Sequence, residues 1–258
     1  MQVPRNPFKH ALAAGEMQFG CWVGLADTVS AEMMGHAGFD WLVIDGEHGP
    51  NHIRSILGML QVLESTPAHP VVRVPIGETW ILKQVLDAGA QTVLVPMVES
   101  AEEARALVRA VTYPPEGVRG VGYALTRASR FSMIADYGTA ADAEICLLVQ
   151  VENRAGLAAL DEILAVDGVH GVFIGPADLA ADMGHMGRAD HPEVQAAIMD
   201  ALARIRAAGK APGILSTRDE MTNDAIAAGA QFVAVGADIL LLGNAARALA
   251  QKWQGTRR

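Results

Sequence analysis

Two acidic residues follow two successive apolar segments in the second half of the chain. Glu152 follows Leu-Leu-Val-Gln-Val, and Asp178 follows Phe-Ile-Gly-Pro-Ala. If these segments are strands, Gln150 and Glu152 are two apart and point to the same side. Two carboxylates with few other protein ligands suit a hard divalent cation that keeps several waters. Each acid is also consistent with a helix cap, so the spacing alone leaves both interpretations open.

A second group of polar residues lies in the first third of the chain. Arg73 interrupts the apolar segment Val-Val-Arg-Val-Pro. Charged residues are rarely buried unless paired, so Arg73 either forms an ion pair, with Asp45 or Glu99, or holds a developing oxyanion. His48 follows Asp45 and Glu47. A histidine beside carboxylates suits a general base near neutral pH; the alternative is a structural or solvated loop histidine.

The lysines limit the chemistry that this group could perform. A Schiff-base enzyme needs a desolvated lysine beside its substrate. None of the chain's lysines follows the end of an apolar segment, and we therefore expect carbonyl activation to come from a metal. The lysines are Lys9, Lys83, Lys210 and Lys252.

The elements that must position these residues alternate regularly along the chain. Short apolar segments rich in Val, Ile and Leu are typical of strands covered on both faces, and the stretches between them have helical periodicity. The predicted strands are Phe19–Gly24, Trp41–Asp45, Val71–Pro75, Thr92–Pro96, Cys146–Val151, Gly171–Gly175, Ala211–Leu215 and Phe232–Gly236. The predicted helices are Ala31–Ala37, Ile53–Leu63, Ile81–Ala88, Ala101–Val111, Leu157–Leu164, Val194–Ala207 and Met221–Ala228.

Eight strands in 258 residues correspond to about 32 residues for each strand and helix. This spacing predicts one α/β domain over residues 1–258, a (β/α)₈ barrel with its active site at the carboxyl ends of the strands. Several predicted helices end in a glycine, as a left-handed closing residue requires. A doubly wound sheet would favour a Gly-rich turn after the first strand, which is absent here. A long irregular stretch, Tyr113–Met133, is of the kind that is usually functional.

Composition excludes several classes of function. The net charge of −9 argues against nucleic acid as a partner, because phosphate binding needs clustered Lys and Arg. No segment approaches the ~18 apolar residues of a membrane helix, and no targeting segment is visible, so we expect a cytoplasmic protein. Cys21 and Cys146 lie in apolar segments and are predicted to be buried, reduced thiols.

Six segments of the chain together resemble the HpcH/HpaI aldolase family. The resemblance runs in order from about residue 6 to residue 253. The segments are Phe-Asp-Trp-Leu-Val-Ile-Asp-Gly-Glu-His-Gly-Pro-Asn (39–51), Val-Val-Arg-Val-Pro (71–75), Val-Leu-Val-Pro-Met-Val-Glu-Ser (93–100), Tyr-Pro-Pro-Glu-Gly-Val-Arg-Gly (113–120), Val-Gln-Val-Glu-Asn (149–153) and Phe-Ile-Gly-Pro-Ala-Asp-Leu (173–179).

The resemblance implies a class II aldolase that reversibly cleaves 4-hydroxy-2-oxo acids into pyruvate and an aldehyde, through a pyruvate enolate held on a divalent metal. Glu152 and Asp178 would ligate Mg²⁺, Mn²⁺ or Co²⁺, Arg73 would stabilise the enolate, and His48 would be the acid and base. Asp87 would raise the basicity of His48 across a subunit interface, with Asp45 as a second candidate for orienting it. Substrate contacts would come from Trp22, Gln150, Gly175, Pro176, Ala177, Asp178 and Leu215.

The resemblance also implies a homohexamer in which neighbouring subunits exchange the last helix. It leaves the aldehyde unspecified, because relatives act on 2-keto-3-deoxy sugar acids and more distant ones are CoA-ester lyases. Two alternatives are a phosphate-binding barrel enzyme that uses Gly236 and a non-catalytic ligand-binding barrel. Arg218 is the one basic residue between Gly213 and Asp238, which argues against the phosphate site.

Overall fold

The computed structural model describes residues 1–254, which form a closed barrel of eight parallel strands. Neighbouring strands pair in sequence order, and β8 closes the barrel on β1. All eight predicted strands are present, with ends that differ from the prediction by no more than two residues. They are β1 (Gln18–Val23), β2 (Trp41–Asp45), β3 (His69–Arg73), β4 (Thr92–Val95), β5 (Cys146–Val151), β6 (Gly171–Ile174), β7 (Ala211–Leu215) and β8 (Phe232–Ala237).

Helices surround the barrel and carry the chain back after each strand. Every predicted helix is found, although the predicted Leu157–Leu164 helix is two short helices, α7 and α8, that meet at Ala159. The helices are α1 (Pro7–Ala13), α2 (Thr28–Gly35), α3 (Ile53–Leu63), α4 (Thr79–Asp87), α5 (Ala101–Val111), α6 (Tyr137–Ala140), α7 (Arg154–Ala158), α8 (Leu160–Leu164), α9 (Pro176–Asp182), α10 (Pro192–Ala207), α11 (Asp219–Ala227) and α12 (Asp238–Gln254).

Two apolar clusters hold the barrel together. The larger one lies between the outer face of the strands and the helices, and the smaller one fills the barrel interior. Helix α1, which the sequence analysis did not predict, closes the end of the barrel where the strands begin. Its Phe8 is buried and packs against Trp41, His69 and Phe232. The opposite end, where the strands terminate, is therefore the open end of the barrel.

The long stretch after α5 is at the closed end of the barrel, because it joins the end of α5 to the beginning of β5. It contains short 3₁₀ turns and α6. Its own small core includes Tyr113, Ile134 and Tyr137, with Arg119 fully buried over the Tyr113 ring at 4.3 Å. The expectation that this stretch is functional gains no support from its position.

The last helix follows β8 without an intervening loop. Gly236 lies inside β8, and Asp238, the first residue of α12, is buried and accepts hydrogen bonds from the backbone N–H groups of Gly24 and Leu25. A carboxylate thus takes the place where a phosphate would bind, and Arg218 pairs instead with Asp190 at 3.3 Å. The phosphate-binding alternative is therefore not favoured.

The sequence analysis also made predictions about the two cysteines and about membrane-spanning helices. Both cysteines are buried and free, and burial raises the pKa of each thiol, Cys21 and Cys146, to about 12. The prediction that both thiols are buried is therefore confirmed. Among the residues that the structure describes, no helix is both long enough and apolar enough to span a lipid bilayer.

Candidate active site

The barrel brings the chemically distinctive residues of the sequence to one end. Asp45 ends β2 and Arg73 ends β3, and the two residues are register partners. Gln150 lies in β5, Glu152 follows it, and Asp178 lies in the first turn of α9 after β6. Because parallel strands all terminate at the same end of a closed barrel, these residues share its open mouth.

Arg73 forms a bidentate ion pair with Asp45. Its Nε lies 2.9 Å from Asp45 Oδ1, and its Nη2 lies 2.7 Å from Asp45 Oδ2. Burial by itself would raise the pKa of Asp45, but the hydrogen bonds and charge of Arg73 outweigh that effect and lower it. Of the two ion pairs that the sequence allowed, the one with Asp45 is present. Glu99 instead accepts a hydrogen bond from the Asn153 side chain at 2.6 Å.

Glu47 is a member of this site that the sequence analysis did not assign. Its Oε2 lies 2.7 Å from Arg73 Nη1, although the contact lacks the alignment of a hydrogen bond. Burial raises the pKa of Glu47, and the positive charges of Arg73 and His48 offset this only in part. The only sequence signal was an acid placed between Asp45 and His48, which spacing alone could not distinguish from an exposed loop residue.

Glu152 and Asp178 do not cap helices, so the capping interpretation is wrong. Asn153 caps α7 by accepting a hydrogen bond from the Gly156 N–H at 2.8 Å. Gly175 begins α9 and has no side chain with which to cap it. The role of the two acids as cation ligands stays a prediction.

The Glu152 carboxylate is buried and closely surrounded. It accepts hydrogen bonds from the Met97 N–H at 2.9 Å and from the Gln150 side-chain amide. A Cβ on Gly175 would collide with Glu152 Oε2 and lie 2.8 Å from Glu152 Cβ, so only glycine allows the backbone before α9 to approach so closely. Burial raises the pKa of Glu152, and the negative charges of Asp178 and Glu47 raise it further. Beside it, the Oε1 of Gln150 is buried without a hydrogen-bond partner.

Met97 is a second contributor that the sequence did not reveal. It follows β4 with a left-handed backbone, at a φ of 56°, which is uncommon for a residue with a side chain. This conformation aims the Met97 N–H at the Glu152 carboxylate. Strained backbone of this kind is concentrated at functional sites, and here it fixes the orientation of a candidate metal ligand.

His48 lies at the rim of the mouth, with its side chain 68% exposed. Its Nε2 is 4.0 Å from Glu47 Oε2. Asp45 accepts a hydrogen bond from the backbone N–H of His48 at 3.3 Å, so Asp45 positions the loop and does not contact the imidazole. Within one chain, Asp45 therefore acts on His48 through the backbone of the loop.

Asp87 is not brought to this site within one chain. It ends α4 at the closed end of the barrel, where its Oδ1 lies 3.4 Å from Arg119 Nη2. Burial raises its pKa, although Arg119 opposes the increase. Its pairing with His48 across a subunit interface stays a prediction.

The two apolar residues expected near the substrate lie deeper than the charged ones. Trp22 is buried in the interior cluster, and the centre of its ring lies 5.4 Å from the Arg73 guanidinium carbon. Leu215 ends β7 and packs partly buried against the same cluster. The Trp22 ring therefore packs near the Arg73 guanidinium on the side of the barrel interior, in addition to any contact with a substrate.

The lysines lie away from the mouth, as predicted. Lys9 donates to the carbonyls of Ala143 and Ile145, and Lys210 donates to those of Val166 and Val169, all at the closed end. Lys83 lies on α4 and Lys252 on α12. Within residues 1–254, no lysine therefore reaches the site where a Schiff base would form.

The mouth has an excess of negative charge. Arg73 pairs with Asp45 and Glu47, while Glu152 and Asp178 have no cationic partner in the ion pairs of residues 1–254. Asp45 and Glu152 are buried, Glu47 is half-buried and Asp178 is exposed. Burial raises the pKa of both Glu47 and Glu152. Buried charges are normally paired or coordinate metals. Glu152, Asp178 and the unpaired Gln150 Oε1 are oxygen ligands of the type that Mg²⁺ and Mn²⁺ prefer. The residues present therefore fit a divalent cation.

Comparisons with known proteins agree with this arrangement. Residues 18–245 match the family described as HpcH/HpaI aldolase/citrate lyase. The chain is 58% identical over 254 residues to a hydroxypyruvate/pyruvate aldolase of Roseobacter denitrificans, covering 98% of this chain and 99% of the relative. It is 55% identical to a 4-hydroxy-2-oxo-heptane-1,7-dioate aldolase of Klebsiella pneumoniae, covering 96% and 94%. A crystal structure of an HpcH/HpaI aldolase/citrate lyase family protein from Burkholderia cenocepacia superimposes with a TM-score of 0.93 at 38% identity, covering 96% and 99%.

Proposed function

Because this chain belongs to the HpcH/HpaI aldolase/citrate lyase family, we propose that it is a metal-dependent aldolase. It reversibly cleaves 4-hydroxy-2-oxo acids into pyruvate and an aldehyde. The observation that carries this proposal is the group of four carboxylates, of which Asp45 and Glu152 are buried, at a barrel mouth that no lysine in residues 1–254 reaches. The CoA-ester lyase and non-catalytic alternatives are less well supported, because relatives at 55% and 58% identity are named aldolases.

Glu152 and Asp178 are the residues that would hold the cation, which is Mg²⁺, Mn²⁺ or Co²⁺ in this proposal. Bound there, the cation would polarise the 2-oxo group of the substrate as a Lewis acid. Gln150 and the backbone from Gly175 to Asp178, with Pro176 and Ala177 between them, would contact the carboxylate and oxo groups. Met97 holds Glu152 in place through its N–H.

Arg73 stabilises the negative charge that develops on the substrate oxygen. Asp45 fixes two nitrogens of the guanidinium, so the group is oriented before the substrate arrives. Nη1 lies 2.7 Å from Glu47 Oε2 without an aligned hydrogen bond, so a substrate oxygen would compete with Glu47 for this donor. A donor aimed in advance at developing charge is among the largest contributions to catalysis.

His48 takes the proton from the 4-hydroxyl group in cleavage and returns it in synthesis. Its exposed position at the rim lets its Nε2 approach the outer part of a bound substrate. Asp87 of a neighbouring subunit would raise its basicity, and Trp22 and Leu215 would lie towards the aldehyde.

We further propose a cytoplasmic homohexamer in which subunits exchange α12. Apolar side chains along this helix are about half exposed, including Ile239 at 50%, Leu241 at 52% and Leu249 at 60%. An exposed apolar face of this kind marks an interaction surface. By the family resemblance, the partner that covers this apolar face is a second copy of the chain.

The donor substrate follows from the names of the relatives. Five of them, each at least 57% identical to this chain, are named hydroxypyruvate/pyruvate aldolases. We therefore propose pyruvate and hydroxypyruvate as the donors. Both carry the 2-oxo acid group that the cation and the Gly175–Asp178 backbone would bind.

Exchange of the C3 protons of pyruvate in D₂O, followed by NMR, tests the proposal without requiring the correct aldehyde. We expect exchange that depends on added Mg²⁺, Mn²⁺ or Co²⁺ and is lost in Asp178→Asn. Asp182→Asn is the matched control, because Asp182 lies one turn further along α9, is exposed and pairs with Arg154. Exchange that survives exhaustive chelation, or a borohydride adduct with pyruvate on any lysine, would contradict the proposal.

A further inference from the structure

We propose that a second metal site, separate from the barrel mouth, lies between α9 and α10 and takes a transition ion of the zinc type. Its ligands are the side chains of His185, His191 and Glu193, called here the His185 cluster. One nitrogen or oxygen from each residue lies within 4.8 Å of the others. The proposal does not depend on the aldolase assignment.

The segment that carries the cluster is folded back on itself. The Arg188 N–H donates to the His185 carbonyl at 2.9 Å, and the His191 N–H donates to the Arg188 carbonyl at 2.9 Å. A further bond from the His185 N–H to the Ala180 carbonyl, at 2.7 Å, joins the segment to α9. These turns bring two histidines six positions apart into contact, with ring centres 3.5 Å apart.

The distances suit a shared cation. His185 Nε2 lies 3.1 Å from Glu193 Oε2. Two ligands at ~2.0–2.1 Å from one tetrahedral zinc ion are roughly 3.3 Å apart. A cation can therefore replace the proton that His185 and Glu193 share, with little movement of either side chain.

His191 supplies the third ligand from the beginning of α10. Its Nδ1 accepts a hydrogen bond from the Glu193 N–H at 3.4 Å, a long bond that a metal can displace. The planes of the two rings are inclined by 15°. Because nitrogen lone pairs lie in the ring plane, the angle between the rings must increase before both nitrogens can bind one ion. Water completes the coordination, since the cluster is partly exposed.

The donor set separates this site chemically from the mouth. Two imidazoles and one carboxylate favour Zn²⁺, Ni²⁺ or Cu²⁺, whereas the oxygen ligands at Glu152 and Asp178 favour Mg²⁺ or Mn²⁺. Excess Mg²⁺ should therefore leave the His185 cluster available to zinc.

Calorimetric titration of tag-free protein with Zn²⁺, in a large excess of Mg²⁺, tests the inference. We expect the stoichiometry to fall by one zinc per chain in His185→Asn and not in His36→Asn, a control on the exposed end of α2. Glu193→Ala, at an exposed position, gives a second variant if His185→Asn does not fold. Equal stoichiometry in wild type and in folded His185→Asn or Glu193→Ala would overturn the proposal.

X-ray absorption on zinc-loaded Glu152→Gln separates this inference from the aldolase proposal. That variant lacks a proposed ligand of the mouth and keeps the His185 cluster, so we expect imidazole scattering around its zinc. Absence of imidazole ligands would overturn the second site and leave the aldolase proposal unaffected. Retention of aldolase activity in Glu152→Gln would overturn the role of the mouth and leave the second site unaffected.

Discussion

The two ends of the barrel both bury polar side chains, but they satisfy them differently. At the closed end, Asn6 donates to Thr92 Oγ1 at 2.9 Å and to the Glu144 carbonyl at 3.0 Å. His69 contacts the same Thr92 hydroxyl at 2.9 Å. Burial lowers the pKa of His69 to about 3, so Asn6, Thr92 and His69 form an uncharged hydrogen-bonded group.

At the open end, the buried groups are charged and incompletely paired. Asp45 and Arg73 satisfy each other, but Glu152 and Glu47 have a raised pKa, and Gln150 Oε1 has no partner among the described residues. None of the side-chain polar atoms of Asn6, Thr92 and His69 is buried without a hydrogen-bond partner, whereas Glu152 and Gln150 at the open end suit a cation and a substrate. The hydrogen-bonded group at the closed end therefore contributes to stability, and the charged residues at the open end contribute to chemistry. Each experiment below tests this difference.

Removing the cation should have the largest effect. Chelation with EDTA, or Glu152→Gln, should lower aldol cleavage by roughly 10⁴-fold or more, since Lewis-acid stabilisation contributes several kcal/mol. Added Mg²⁺, Mn²⁺ or Co²⁺ should restore the chelated wild type but not the variant. The measurement is pyruvate release, with Glu99→Gln as a control acid near the same end. Full activity in Glu152→Gln would mean that the open end does not need this ligand.

His48→Ala should lower aldol cleavage by roughly 10²–10⁴, the usual contribution of a general acid or base. Binding of pyruvate should survive, because the side chain lies at the rim and not among the buried carboxylates. A titration of the variant with pyruvate in the presence of Mn²⁺ provides that check. Cleavage at the wild-type rate would place the base elsewhere, with Glu47 as the next candidate.

Arg73→Ala should lower both aldol cleavage and C3 proton exchange by about 10²–10³, the effect of losing one oxyanion donor. Arg73→Lys should also be slow, because an ammonium cannot reproduce the fork that Asp45 holds. Removing one partner of a buried ion pair also costs roughly 3–5 kcal/mol of folding free energy, so rates must be compared on folded protein. Wild-type exchange in Arg73→Ala would remove Arg73 from the mechanism.

Asn6→Ala should alter the closed end alone. Loss of its hydrogen bonds leaves buried polar groups unpaired and should lower the free energy of unfolding by about 1–3 kcal/mol. The kcat of folded protein should stay at the wild-type value, since Asn6 lies at the far end of the barrel. Urea denaturation and initial rates measure the two quantities. A large fall in kcat with unchanged stability would break the distinction between the two ends.

The pH dependence of stability should carry a small effect near neutral pH that grows towards acid pH. Because the pKa of His69 is depressed in the folded state, its contribution is fully present above the unfolded value of ~6.5. It is lost as the pH falls towards 3, at up to ~1.4 kcal/mol per pH unit. His69→Gln should flatten this slope between pH 7 and 5, whereas exposed His36→Gln should not. Parallel slopes in wild type and His69→Gln would contradict the buried neutral state.

Much of the fold could be predicted from the sequence, because strand and helix periodicity are local properties. Each βα unit has its own apolar segment, and five of the helices end at a glycine with a positive φ value: Gly38, Gly89, Gly168, Gly209 and Gly229. The position of the candidate site followed from the fold, since strands of one barrel end together. Helix α1 was missed because its seven residues are too few to establish a period.

The sequence alone determined the barrel, the end at which its chemistry lies, and the absence of a lysine after any strand. Only the tertiary structure showed that Glu152 and Asp178 do not cap α7 and α9, since a cap is defined by the N–H groups that lie nearby and not by spacing. It also added Glu47 and Met97, whose roles depend on contacts with Arg73 and Glu152 across other strands. Such contacts arise when the barrel closes, because closure makes neighbours of residues that are 26 and 55 positions apart.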